Sequence, residues 1–157
     1  MIKVYTSYFY QVRNMREGCL AFSTALSDPA WFRGAPHLDK NGVMIGLRAE
    51  PFVPRLNNPD VCHGPQDCEH RTLDLPWICP FIEDYTKFLA TLDSQNIEER
   101  FLSVGQRYLN FIGKDIPLTF ILLVHEAPNN PCSERGPLQR WLKEHDMGGE
   151  EWNKDLR

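Results

Sequence analysis

The stretch "CHGPQDCEH", residues 62–70, sets two cysteines and two histidines within nine positions, and Cys79 follows His70 by nine residues. Cys62, Cys68, His70 and Cys79 make a Cys3His set, a ligand combination that zinc accepts in tetrahedral geometry. The intervals are five, one and eight intervening residues. Zinc ligands usually come in pairs two to four residues apart, and that spacing is not met. Unligated side chains, or a Cys62–Cys68 disulfide across "HGPQD", therefore stay open beside the metal. Four protein ligands would leave no position for a substrate, so a zinc here is expected to be structural.

A second stretch, "HEAPNNPCSERG" at 125–136, carries a different chemistry. Cys132 stands a few residues before a predicted helix, where the helix dipole and free backbone N–H groups favour a thiolate. Arg135 could strengthen that effect or bind an anion such as phosphate. His125 and Glu126 close a predicted strand and could exchange protons. Cys132, Glu126 and Arg135 are the candidate catalytic residues. A phosphatase-type loop needs arginine six positions after the cysteine, and Leu138 stands there, so that reaction is not indicated. The plainer alternative is an unreactive loop cysteine beside a solvated glutamate. Near the N-terminus, Tyr5, Ser7, Tyr8, Arg13 and Trp31 are the candidate ligand-binding residues. Aromatic rings can stack on a nucleobase and a guanidinium can hold an anion, although rings of this kind more often fill a core.

The elements that must position these groups follow from the hydrophobic pattern. "IKVYTSYF" (2–9) alternates and is rich in β-branched and aromatic residues, and "CLAFSTA" (19–25) reads as a second strand. Residues 27–80 hold eight of the twelve prolines. They read as a long irregular excursion, with a short strand around "GVMIGL". A segment of that length is usually functional or mobile. "PFIEDYTKFLATL" then has helical spacing in Phe81, Tyr85, Phe88 and Leu92, with a Glu83–Lys87 pair on its wet side. A second helix is predicted from Ile97 to Ile112, opened by an Asn96/Glu99 capping box and closed at Gly113. Ile97, Phe101, Val104, Tyr108 and Phe111 or Ile112 form its apolar stripe. "LTFILLVHE" reads as a central strand buried on both faces. "PLQRWLKEH" reads as a last helix with Trp141 in the core, ended by Gly148-Gly149. The order predicts an α/β fold: a two-layer or three-layer sandwich around a mostly parallel sheet, as a single domain over 1–157.

Whole-chain properties narrow the function. The 157 residues suit one domain with a core of its own, and 42 % are apolar. The formal net charge is -4 with no long basic run, which disfavours non-specific nucleic-acid binding. No apolar run approaches the roughly 20 residues that span a bilayer, and "MIKVYTSYFY" is not a secretory leader. Five unevenly spaced cysteines do not make a disulfide framework. A cytoplasmic protein is expected.

Taken together, "VYTSYFYQVRNM", "PAWFRG", "YTKFLATLDSQNIEERF" and "ILLVHEAPNNPCSERGPLQRWLKEH" resemble the domain of unknown function family 488, which has many short bacterial and phage members. The resemblance touches both ends of the chain and about two-thirds of its length. That family ends in a strand with a terminal Glu, a Pro-containing loop, a Cys-His-Arg triplet and a helix with a Leu-Trp-Leu core. Glu126 and Cys132 match, and Arg135 corresponds to the Arg, displaced because Cys-His-Arg has become Cys-Ser-Glu-Arg. Val124-His125 stands in place of the family's Cys-Tyr. Residues 50–79 have no counterpart and read as an insertion. The resemblance implies an α/β fold and a site at Glu126, Cys132 and Arg135, without a settled reaction. Three functions follow as expectations. The first is binding or processing of a nucleotide-like or other anionic small molecule. The second is a protein-interaction module of phage or bacterial type with a zinc clip. The third, disfavoured by charge, is nucleic-acid binding.

Overall fold

The computed structural model describes residues 2–54, 80–129 and 133–155. Strand β1 spans Val4–Tyr8 and β2 Cys19–Ser23, separated by a 3-10 turn over Phe9–Asn14. A two-residue strand β3, His37–Leu38, precedes β4, Met44–Arg48, and a second 3-10 turn covers Glu50–Phe52. Helices α1 (Pro80–Leu89) and α2 (Ser94–Ile112) lead to β5 (Thr119–Val124). Helix α3 (Arg135–Glu144) then leads to β6 (Gly148–Glu151). The strands form one sheet in the order β3-β4-β2-β5-β1-β6. Every described pairing is parallel except β3 with β4. This is the expected α/β fold around a mostly parallel sheet.

Strand β5 lies between β1 and β2, and five of its six residues are buried. Parallel strands covered on both sides carry continuous apolar runs, which is why "FILLV" could be read directly. Side chains alternate across the sheet. Val4, Leu20, Phe22, Phe120, Leu122 and Val124 face a core completed by Tyr85 and Leu89 of α1, Ile97, Phe101 and Tyr108 of α2, and Leu138 and Trp141 of α3. All three described α-helices thus contribute to one face. The opposite face buries Cys19, Ala21, Ile121 and Leu123 under Phe9, Val12, Phe32 and Trp152. Among the described residues, that side is covered by 3-10 turn and loop.

Local chemistry sets the helix ends. Helix α2 is capped by Asp93, whose carboxylate accepts from the N–H groups of Gln95 and Asn96 at 3.1 and 3.3 Å. The expected Asn96 cap is therefore corrected: the helix starts three residues earlier, because Asp93 supplies the acceptor first. Gly113 ends the helix in left-handed conformation, φ 68°. Ile112, not Phe111, joins the core, since Phe111 is 70 % exposed. At the amino ends of the strands, the Tyr108 hydroxyl accepts from the N–H of Gly18 and donates to the carbonyl of Gly42, both at 2.8 Å. No helix among the described residues is long and apolar enough to cross a membrane.

Candidate strand-end site

After β2 the chain moves outward to β4; after β5 it passes through α3 to β6, toward the other edge. β2 and β5 are neighbours, so the connections leaving their carboxyl ends diverge. In open parallel sheets such a divergence leaves a crevice where ligands gather. Thr24 follows β2 there, and His125 and Glu126 follow β5. The start of α3 faces them with Ser133, Glu134 and Arg135, all buried.

Just before α3, Ser133 Oγ accepts from the Arg135 N–H at 3.1 Å, across Glu134, the residue that opens the helix. Arg135 itself is only 5 % exposed. Its Nε donates to Glu151 Oε1 at 2.8 Å and one Nη2 proton goes to the Glu126 carbonyl at 2.7 Å. Nη1 is buried and has no partner among the described residues. The Thr6 hydroxyl donates to the same Glu151 oxygen at 2.7 Å, and Gln139 Nε2 donates to Thr6 Oγ1 at 2.7 Å. Glu151 Oε2 is buried and has no partner among the described residues. Burial pushes the Glu151 carboxyl above its ordinary range, against the lowering pull of Thr6 and Arg135. The cluster thus holds one spare buried donor and one spare buried acceptor. Buried polar atoms in this state call for an explanation, and an ordered water, an ion or a ligand would each supply the missing partner.

Glu134 is 7 % exposed, and desolvation, aided by the charge of Glu126, raises its pKa to about 7. Its Oε1 accepts from Thr24 Oγ1 at 3.2 Å, a hydroxyl that also lies 2.9 Å from the Leu123 carbonyl. That contact pulls the carboxyl pKa down, and desolvation outweighs it.

Tyr8 extends the site outward. The Arg135 guanidinium lies 5.7 Å from its ring centroid, Tyr8 stacks on Tyr10 with centroids 6.2 Å apart, and the Arg13 guanidinium caps Tyr10 at 3.6 Å. Arg135, Tyr8 and Arg13 are thereby joined through the ring of Tyr10. Trp31 is 52 % exposed and meets Phe9 edge-on. It shares a hollow of about 660 Å³ with Tyr10 and Arg13. Tyr5 and Ser7 fall on the loop-covered face, opposite Thr6 and α3, and are not brought alongside Arg135. Glu126 approaches Arg135 through its carbonyl. His125 is held by the Ser27 carbonyl at 2.7 Å and packs on Phe9.

Cys132 lies outside the described residues, as do Cys62, Cys68, His70 and Cys79. Among the described residues, no group of three or more His, Cys, Asp or Glu could hold a metal. The described cysteine, Cys19, is buried, and desolvation raises its thiol pKa, which makes it a poor nucleophile. Sequence reasoning missed Glu134, Thr24, Thr6, Gln139 and Glu151. Glu134 had a usable signal, since it sits between Ser133 and Arg135 at the helix start. Glu151 had none, because its strand pairs with the far end of the chain. No family model matches the chain, and no curated protein or solved structure matches it.

Proposed function

We propose that this protein binds a nucleotide-like anion at the carboxyl end of the sheet, beside β5, with Arg135 as the anchor for the anion. One observation carries the reading: a guanidinium 95 % buried that keeps Nη1 without a partner among the described residues. A buried charge is costly unless fully paired, and an arriving phosphate or carboxylate oxygen would complete this one. The exposed rings of Tyr10 and Trp31 support the nucleotide-like part, since a base can stack on such surfaces. Glu134, with its pKa near neutrality, is equipped to give or take a proton at the same end of the sheet. The resemblance to family 488 belongs to the same proposal, because it selects Arg135 independently of the geometry.

Calorimetric titration with inorganic phosphate, AMP and UMP tests the reading. Wild-type protein is expected to bind the nucleotides, with Arg135→Gln weakening them at least about ten-fold. Equal affinities in wild type and a folded Arg135→Gln variant would reject the proposal.

A further inference from the structure

On the helical face a separate cavity of about 300 Å³ opens between α2 and the turn that follows β4. Its floor is apolar: Phe22, Phe52, Ile97 and Phe101, with Val104 on the wall. The rings interlock, Phe22 meeting Phe101 edge-on at 5.0 Å and Phe52 stacking on Phe101 at 6.4 Å. This rigid floor leaves little freedom for the cavity to collapse. Its rim carries three guanidiniums, from Arg48, Arg100 and Arg107.

Arg48 is already satisfied. It pairs with Asp28 and with Glu50, each at 2.8 Å, and donates to the Ala25 carbonyl at 2.7 Å. Glu50, the acid on this rim, is thus engaged by Arg48. Arg100 and Arg107 differ: both are exposed, and neither has a hydrogen bond, ion pair or ring contact among the described residues. Seven residues apart on α2, they stand on the same side of the helix about 10 Å from each other. Val104 lies between them, so their stems flank apolar surface while their heads face the opening. The rim is therefore net positive on a chain whose net charge is -4. A cavity of this size, apolar below and cationic above, suits a small ligand with an apolar body and one anionic head.

We propose that this cavity, lined by Phe101 and Val104 and rimmed by Arg100 and Arg107, is a second binding site, for a small aryl or short acyl carboxylate. It is distinct from the strand-end site, sharing no residue with the Arg135 cluster. The apolar body displaces water from the phenylalanine floor, and the carboxylate neutralises two arginines that otherwise repel each other.

Amide chemical-shift titration of the full chain with 2-naphthoate, its neutral analogue 2-naphthalenemethanol and inorganic phosphate tests this directly. Expected are shifts centred on Ala49, Ser103 and Val104, with 2-naphthoate binding at least about ten-fold more tightly than the alcohol or phosphate. Arg100→Gln/Arg107→Gln, at exposed helix positions that leave the fold intact, is expected to remove that advantage. Arg135→Gln is expected to leave it unchanged, which separates this site from the one proposed above. No shift at millimolar 2-naphthoate would overturn the proposal. So would equal binding of acid and alcohol, equal binding of phosphate, or an affinity indifferent to the double substitution.

Discussion

Arg135 and the pair Arg100–Arg107 use the same side chain in opposite surroundings. Arg135 is buried, held by Glu151 and the Glu126 carbonyl, and spares a single nitrogen. Arg100 and Arg107 stand in water and engage nothing among the described residues. The first is part of the fold, so any ligand it takes enters a site already organised for it. The others cost the fold nothing and are free to choose a partner. Preorganisation favours selectivity, whereas an exposed rim favours easy exchange.

The contrast is broken most directly at Arg135. Arg135→Ala would leave the half-buried Glu151 without its cation, at a cost of about 3 kcal/mol in urea denaturation. Arg135→Met/Glu151→Leu should regain a large part of that loss, because no buried charge is left unpaired. A single substitution as mild as one on the surface would show that Arg135 is not integrated into the fold.

The next largest effect is pH dependence through Glu134. Its folded pKa, about 7, lies above the ordinary 4.5 of the unfolded chain. The folded state therefore binds the extra proton, and this contribution is fully present below about pH 4.5 and lost as pH rises through 7. Relative to Glu134→Gln, wild-type protein should lose on the order of 3 kcal/mol across that window. Parallel stability profiles for the two proteins would show that Glu134 titrates normally.

Smaller effects sharpen the comparison. Tyr10→Leu should weaken AMP binding by about 1–3 kcal/mol while leaving inorganic phosphate untouched, since only the base stacks. If phosphate weakens equally, the ring supports the arginine rather than the base. Smallest of all, Arg100→Gln/Arg107→Gln should move thermal stability by no more than about 0.5 kcal/mol. A larger loss would mean that these arginines are structural after all.

Sequence made the centre of this fold legible and its margins less so. The run before His125 announced β5 because burial on both faces leaves an uninterrupted apolar signature. Helices α1 and α2 were visible from spacing, though Asp93 showed that a side chain just outside the apolar pattern can decide where a helix begins. β6 was unreadable. "GGEE" looks like a stop, and Gly148 and Gly149 do adopt φ 90° and 94°. A Cβ at Gly149 would fall 2.6 Å from the Gln139 carbonyl, so glycine there allows the strand to pack closely on α3. Arg135 was found by its type and position in the chain. Its partner Glu151 lies on that unrecognised strand, and Thr6, which donates to the same Glu151 oxygen, is most of the chain away; only the sheet brings them together.

The Tyr108 hydroxyl gives this arrangement a direction. One oxygen, receiving from Gly18 and giving to Gly42, fastens two tight turns to the later part of α2 at the amino ends of the strands. The unspent polar atoms of Arg135 and Glu151 gather at the opposite end. The sheet is thus anchored at its base and receptive at its crown. Adjustment to a ligand can be confined to the connections leaving β2 and β5, while the lower turns keep the strands in register.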